Sequence, residues 1–473
     1  MQRVYERLYS LLPPFAQSLL VTLYAVRIHL ERYGPEFREQ LEELEKTQWL
    51  SSNELAEYQN QKLQLLVEHA YENVPYYRRL MDQRKLDPAD IKTSQDLRKL
   101  PVLTRDDVRK HKHELLSSAY RKKQLAHGHT SGTTGSPLEF FWDRKMCAFN
   151  NAAYWRQARW AGLRYGDKFA VALGRIVCPT TRKKPPFWRM NYLDNQLWIS
   201  SFHLNEENLP CYIRKLREFK PMALECYPST GYIIAKYLES RRETLPLKAV
   251  LTSSETLFPF QKETIEKSFD CRVYDYYGMA ERVVFATECD RHEGRHLNLE
   301  YGICEILDSD GIPVVDGKEG YVVGTSLHNY AMPFIRYQTS DISAIRKKSC
   351  SCGRALPLIQ DVTTKAEDII VTPAGNLISP SVLTHPFKPL KTIKMSQIIQ
   401  DRVDHILIKI VAEPRFSRRE ANALLVEFRK RVGSDMQVDL QEVSEIPRTA
   451  AGKFKWVIST APINFKHEKQ RVL

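Results

Sequence analysis

At 473 residues the chain exceeds one ordinary domain of roughly 150 residues, so two or three domains are expected. With 43% hydrophobic and 27% charged residues, 19 glycines and 25 prolines, the composition excludes a collagen-like repeat, a coiled-coil rod, a disulfide scaffold and wholesale disorder. A net charge of +13 admits nucleic acid, an anionic membrane surface or small anionic substrates, without choosing among them.

The first element in chain order is the stretch Phe15 to Val26, apolar for about 12 residues after Pro13-Pro14. A spanning helix needs about 20 such residues, so this is not one. No small-residue cleavage site precedes Arg27 and Arg32, which argues against a signal peptide. With Arg3, Arg7, Arg27 and Arg32 around it, two readings stand: a helix capping the first domain, or an interfacial helix in peripheral contact with a membrane. From Ser51 to about Lys123 the pattern is helical, opened by the capping-box spacing of Ser51 and Glu54.

The texture then changes to short apolar strands alternating with helices, an α/β layered architecture. Candidate strands are Phe169–Leu173, Ala223–Tyr227, Ala249–Thr252, Arg272–Tyr276, Gly302–Leu307 and Tyr321–Ser326. A smaller α+β unit starts near Lys365, with strands at Asp368–Thr372, His405–Val411 and Met436–Val443 and a capped helix at Ser417–Val432. The expected division is a helical region at 1–125, a core at 126–365 and a small C-terminal unit at 366–473.

The nine cysteines are odd in number and thinly spread, which suits a reducing, cytoplasmic setting. The basic clusters Arg121-Lys122-Lys123, Arg182-Lys183-Lys184 and Arg346-Lys347-Lys348 are short and scattered, with no stacking-aromatic module, so nucleic-acid binding is not expected. Cys289, His296, Cys350 and Cys352 offer the four nitrogen and sulfur ligands of a closed tetrahedral zinc site, with His292 a rival ligand and free buried cysteines the alternative.

The densest local signal is His129-Thr130-Ser131-Gly132-Thr133-Thr134-Gly135-Ser136-Pro137. Its glycines let backbone N–H groups approach phosphate oxygens and its hydroxyls add hydrogen bonds; it lacks the lysine of a Walker loop. Four further blocks follow in order. They are Thr252-Ser253-Ser254-Glu255, then Asp275-Tyr276-Tyr277-Gly278-Met279-Ala280-Glu281, then Arg336-Tyr337-Gln338-Thr339-Ser340-Asp341, and last Glu445 through Lys453-Phe454.

Taken together, Thr130 to Lys453 resembles the adenylate-forming (AMP-binding) superfamily of acyl-CoA synthetases and related ligases. Within it the chain looks most like the phenylacetate-CoA ligase branch and the CapK-type proteins of capsular polysaccharide biosynthesis. His69-Ala70-Tyr71-Glu72-Asn73-Val74-Pro75-Tyr76-Tyr77, Leu100-Pro101-Val102-Leu103-Thr104 and Glu367 to Pro373 carry that likeness. The resemblance implies a large N-terminal adenylate-forming α/β domain and a small C-terminal α+β lid, hinged near Lys365–Glu367.

It also implies ATP-dependent activation of a carboxylic acid to an acyl-adenylate with release of pyrophosphate. Transfer would follow to CoA or to an amine or hydroxyl of an amino acid or sugar. Attack on a phosphate needs positioning and positive charge more than covalent help. Thr130 to Ser136 would hold the β- and γ-phosphates, with Thr134 among the catalytic groups. Ser253, Ser254 and Glu255 would border adenine, as would Tyr276 to Ala280, with Tyr277 stacking on the base. Glu281 would hold Mg²⁺, Asp341 the ribose hydroxyls, and Lys453 the α-phosphate and attacking carboxylate. The resemblance favours zinc at Cys289, His296, Cys350 and Cys352.

Ser136 stands where many members carry lysine, Ala280 where threonine is usual, and Thr364-Lys365 where Gly-Arg is usual, so Lys365 cannot make a bidentate ribose fork. Tyr154-Trp155 and Tyr227-Pro228-Ser229 fall where relatives line the acyl pocket, with plain core the alternative, and Arg175 reads as a partner for a substrate carboxylate or as a surface ion pair. The competing reading is a catalytically weak scaffold at a membrane-bound glycan assembly.

Overall fold

A computed structural model of the chain describes residues 9, 11–129, 138–179, 181–308, 310–362, 370–373, 377–378, 383, 385–387, 389–390, 392–446 and 456–461, and every count or absence below refers to these. Proline opens helices α1 (Pro14–Arg32) and α2 (Pro35–Thr47), since its missing N–H would find no helical partner there. Helix α3 (Ser52–Asn73) carries the expected capping box: the Ser51 N–H donates to Glu54 Oε2 at 2.8 Å while Ser51 Oγ accepts from the Glu54 N–H. Helices α4 (Pro75–Arg84) and α5 (Arg105–Lys110) complete the opening.

Strands β1 (Ala126–His129) and β2 (Glu139–Trp142) pair antiparallel, with His129 opposite Glu139, and frame the glycine- and hydroxyl-rich segment, whose Thr130–Pro137 lies outside the described residues. Helix α6 (Arg144–Trp160) follows. Next come β3 (Phe169–Ala172), β4 (Trp188–Asn191), β5 (Gln196–Ile199), α7 (Leu209–Phe219), β6 (Ala223–Cys226), α8 (Pro228–Ser240), β7 (Ala249–Ser253), α9 (Pro259–Phe269), β8 (Arg272–Gly278), β9 (Phe285–Glu288) and β10 (Arg295–Leu297). With β14 (Leu358–Ile359), these strands form a nine-stranded sheet in the order β14-β10-β9-β8-β7-β6-β3-β5-β4. Its centre, β5-β3-β6-β7-β8, is parallel and its flanks antiparallel. The parallel strands are nearly all apolar, as burial on both faces requires.

Strands β11 (Gly302–Leu307), β12 (Gly320–Ser326) and β13 (Tyr337–Ser343) form an antiparallel sheet of their own. C-terminally, β15 (Ile370–Val371) pairs β16 (Leu377–Ile378), while β17 (Ile393–Arg402), β18 (His405–Ala412), β19 (Gln437–Glu442) and β20 (Val457–Ser459) form a sheet in the order β19-β18-β17-β20. Helix α10 (Arg418–Val432) has the expected capping box, Ser417 with Glu420, and buries Leu424, Phe428 and Val432. Ile370 and Ile378 share a core with Phe202 and Tyr227, so the C-terminal unit packs against the larger one.

The strands anticipated before residue 330 all form, within two residues of the expected ends. Strands β1, β2, β4, β5, β9 and β10 lie outside the expected set, and at three or four residues each they are too short for alternation to stand out; the longer β13 also lies outside it. The apolar stretch Phe15–Val26 is the middle of α1, which runs on to Arg32.

The opening helices join the sheet through one buried ion pair. Arg156 of α6 and Glu300, after β10, are both 0% exposed. Arg156 Nη1 donates to Glu300 Oε1 at 2.6 Å and to the Leu44 carbonyl at 3.1 Å, and Thr47 Oγ1 donates to the same carboxylate at 2.8 Å. Removing one partner strands the other charge, so Arg156→Met should cost on the order of 3–5 kcal/mol in chemical denaturation. Burial pushes the Glu300 carboxyl up, but Arg156 outweighs it and holds the group below its ordinary value of 4.5. A depressed folded-state value contributes stability above the ordinary one and loses it as pH falls. The Tm deficit of Glu300→Gln should therefore shrink on acidification below that value.

Candidate active site and candidate metal centre

The C-terminal ends of the parallel strands carry the nucleotide-type motifs, where open α/β sheets bind ligands. Just past β7, Ser254 adopts φ +70°, a left-handed turn rare for a residue with a Cβ, and its hydroxyl meets Ser253 Oγ at 3.3 Å. Glu255 is engaged at the start of α8, where its Oε2 accepts the Ser229 N–H at 3.0 Å. A carboxylate there complements the helix dipole.

Alternation along β8 turns its adjacent tyrosines Tyr276 and Tyr277 to opposite faces. Tyr276 lines a cavity together with Gly278, Met279 and Ala280. Tyr277 is buried, and its hydroxyl donates to Asp341 Oδ2 at 2.7 Å. Burial first, then the Asp341 charge, pushes the Tyr277 hydroxyl well above its usual range, so it stays a donor. Asp341 is positioned by Thr339, whose hydroxyl accepts the Asp341 N–H at 3.1 Å and donates to the Val322 carbonyl at 2.8 Å.

Glu281 is 8% exposed and accepts the Tyr337 hydroxyl at 3.0 Å. Desolvation pushes its carboxyl up, the Arg105 charge pulls it down, and Asp341 pushes the same way as burial. Two carboxylates thus share one region with one cationic neighbour, an arrangement that suits a bound divalent cation. Thr130 to Ser136, Lys365 and Lys453 lie outside the described residues. The sequence places Tyr337 in a motif without a role and does not single out Arg105; their contacts with Glu281 reveal both.

The cavity holds about 380 Å³. Its floor is one face of the sheet, with Phe169 and Val171 of β3, Trp198 of β5, Glu225 of β6 and Tyr276 of β8. Helix α6 covers it with Tyr154 and Trp155, and α1 closes one side with Ile28 and Arg32. Tyr154, Trp155 and Arg175, weak candidates in the sequence, do line it; Tyr227 instead packs under the C-terminal unit.

The second constellation is assembled by the sheet's antiparallel flank. Strand β10 pairs with both β9 and β14, which brings His296 beside Cys289 and beside the loop carrying Cys350 and Cys352. Cys289 Sγ lies 3.7 Å from Cys350 Sγ and 3.4 Å from His296 Nε2, and Cys352 Sγ lies 3.6 Å from that nitrogen. A tetrahedral zinc ion with bonds of about 2.3 Å to sulfur and 2.0–2.1 Å to nitrogen sets donor separations of about 3.8 and 3.6 Å. The donor set fits such an ion, and 3.7 Å excludes a disulfide. His296 Nδ1 meets the Leu356 carbonyl at 3.0 Å, which leaves the Nε2 lone pair toward the sulfurs, and burial holds the ring neutral. His292 turns away to Glu288, 3.6 Å from its Oε2.

Residues 370–460 match the model of the CapK C-terminal domain. Over 470 residues the chain is 25% identical to Protein CapK of Staphylococcus aureus, covering 96% of this chain and 98% of that protein. It is 24% identical over 457 residues to the phenylacetate-coenzyme A ligase of Thermus thermophilus, covering 86% of this chain and 97% of the ligase. The fold matches 2-hydroxyisobutyryl-CoA ligase crystallised with 2-HIB-AMP and CoA in the thioesterification state, at TM-score 0.58, 19% identity, 88% of this chain and 91% of that one. The open conformation of the same ligase gives 0.55, at 21% identity over 86% of this chain and 92% of that one.

If the four donors hold a metal, elemental analysis should find about one zinc per chain, because a closed tetrahedral site takes one ion. Cys350→Ser should lose it and melt earlier, since an ion bound only by the folded state stabilises that state. Metal-free protein of unchanged Tm would reduce the cluster to packed thiols.

Proposed function

We propose that this chain, a member of the adenylate-forming superfamily on its phenylacetate-CoA ligase-like branch, activates a carboxylic acid with ATP and passes the acyl group to an acceptor. The carboxylate oxygen attacks the α-phosphorus, a new O–P bond forms, and the bond to pyrophosphate breaks. The acceptor then displaces AMP from the acyl carbon; its proton leaves to solvent. A CoA thiol is the first choice of acceptor, as 2-hydroxyisobutyryl-CoA ligase was crystallised with CoA. An amine or hydroxyl of an amino acid or sugar is the choice if the likeness to Protein CapK extends to surface polysaccharide assembly.

One observation carries this reading: the Tyr277–Asp341 and Tyr337–Glu281 pairs stand together at the strand ends, beside a cavity sized for a small acid. In it, Asp341 receives the ribose hydroxyls, Tyr277 supports adenine and orients Asp341, and Tyr276 separates nucleotide from acid. Glu281 would hold Mg²⁺, which would offset charge on the phosphates. Thr130 to Ser136 and Thr134 in particular would hold the leaving phosphates, Lys365 the ribose, and Lys453 the attacking carboxylate and α-phosphate. The zinc reading makes Cys289, His296, Cys350 and Cys352 structural, since they fill every position.

The test is pyrophosphate exchange across a panel of acids. Lys453→Ala should lose activity while ATP affinity stays within about tenfold, because an interaction made mainly in the transition state costs rate more than binding. Near wild-type exchange in that variant would overturn the lysine's role. A folded protein that exchanges nothing on any acid would favour the scaffold.

Helix α1 supports peripheral contact with an anionic membrane. Its polar side chains face inward: Gln17 Oε1 accepts from Arg189 Nε at 2.6 Å, and Ser18 and Thr22 accept the N–H groups of Met190 and Tyr192, on the sheet's edge. Its apolar ones face out, with Phe15 67%, Leu23 65% and Leu30 61% exposed. Residues 11–30 contain no acid, and Lys183 and Lys184 lie exposed on the loop before Arg189. No helix among the described residues is long and apolar enough to cross a membrane, so contact would lie in the surface plane. The full chain should co-sediment with phosphatidylglycerol vesicles more than with phosphatidylcholine, and Leu23→Glu should abolish it. A concentration-dependent dimer lost in the same variant, without vesicle binding, would assign the face to a second copy.

A further inference from the structure

Glu225 is out of place by every stability argument. It sits in β6 at the centre of the parallel sheet. Its row across the strands reads Trp198, Val171, Glu225, Leu251, Tyr274, apolar or aromatic on both sides. A carboxylate there is half-buried, lining the cavity, and the loss of water pushes its carboxyl above the ordinary value. Buried carboxylates normally find an ion pair, and among the described residues Glu225 has none. The Arg175 charge acts on it, but the Arg175 guanidinium lies over the Trp198 ring at 4.2 Å. The Tyr154 hydroxyl stands close by and is itself buried without a well-formed hydrogen bond.

Other polar groups of this cavity are engaged, apart from Arg32, which adds a second positive charge acting on Glu225. Asp194 pairs with His29 at 3.1 Å and with the Asn191 amide at 2.7 Å, and Gln196 Oε1 accepts the Trp198 indole N–H at 2.8 Å. One acceptor (Glu225), one cation (Arg175) and one hydroxyl (Tyr154) therefore converge on the cavity, and the one contact among them, Tyr154 to Glu225, falls short of a well-formed hydrogen bond. They lie on the floor and cover away from Ser254 and Gly278, where the reacting carboxyl belongs. Glu225 is level with Leu251, two residues and about 7 Å down the strand from Ser253. An aryl or alkyl acid would leave all three unmet, and a site whose buried polar groups go unpaired rejects such a ligand.

Resting on the acid-activating reading above, we infer that the acid carries an O–H or N–H donor at the end remote from its carboxyl. Glu225 receives that donor, and Arg175 and Tyr154 serve as its further partners. A hydroxy acid and an amino acid share this chemistry; phenylacetate and simple fatty acids lack it.

Acid binding read by thermal shift and calorimetry tests the inference without requiring turnover. The probes are phenylacetate against para-hydroxyphenylacetate, and butyrate against gamma-hydroxybutyrate and gamma-aminobutyrate. At least one donor-bearing probe should bind about ten- to hundredfold tighter than its parent, the worth of a hydrogen bond to a charged group. The hydroxy and amino arms tell the two sources apart. Glu225→Leu should erase that preference, and Glu225→Gln should keep the fold while weakening the amino arm most. Glu225→Leu alone should melt no earlier than wild type, since a stranded carboxyl is replaced by an apolar group; a structural role would lower its Tm. Parent acids binding as tightly as their donor-bearing partners, no donor-bearing probe binding at all, or a preference unchanged in Glu225→Leu would overturn the inference. Pyrophosphate exchange is scored separately: bound acids that never exchange would defeat the activation reading and leave the pocket assignment standing.

Discussion

Arg156 and Glu300 carry opposite charges into a region where no water can solvate them, and each is tolerable only because the other is there. The pair draws α2, through Leu44 and Thr47, onto α6 and the segment after β10. Helix α6 in turn roofs the acid cavity with Tyr154 and Trp155. The helical opening of the chain is thus a wall of the site as well as a support for it. Helix α1 makes the same point with its two faces: hydroxyls and an amide satisfy the edge of the sheet, while Ile28 and Arg32 border the cavity.

The site itself is built from groups whose burial costs free energy. Glu281 and Asp341 lie close enough for their charges to conflict, and each is steadied by a tyrosine hydroxyl, from Tyr337 and Tyr277 respectively. Those tyrosines keep their protons because burial and the neighbouring carboxylates both oppose ionisation. Such an arrangement is poor for stability and suits a ligand that brings positive charge near Glu281 and hydroxyls near Asp341. Glu225, at the cavity floor, follows the same logic with a different partner.

The cysteine–histidine cluster ties the sheet's antiparallel flank to the loop before β14, joining segments 61 residues apart in sequence. It lies on the face that carries Tyr276, because His296 pairs with Thr287 and Thr287 with Tyr276, and Trp160 at the end of α6 packs against it. A metal there would brace the far end of α6, and so the same roof that the Arg156–Glu300 pair braces from its other side.

Sequence alone determined the α/β alternation, the long capped helices and the motifs, but not the short strands. The capping boxes at Ser51 and Ser417 and the long strands are set by local chemistry, in which neighbours along the chain supply the partners. The five-block order likewise pointed to the adenylate-forming fold, and of those blocks the three within the described residues, Thr252 to Glu255, Asp275 to Glu281 and Arg336 to Asp341, lie on or at the ends of β7, β8 and β13. The Cys/His spacing left a metal centre and buried thiols both open, because ligand convergence depends on how β9, β10 and β14 pair. Glu255 stands in a motif beside Ser254, but the contact it makes with a helix N-terminus 26 residues upstream is visible only in the tertiary structure. Nothing along the chain marked Glu225 as unusual, since its neighbours in sequence are an ordinary leucine and cysteine. Only the sheet places it between Val171 and Leu251, and an ionisable group becomes functional evidence when tertiary packing takes away much of its water and supplies no direct ion pair.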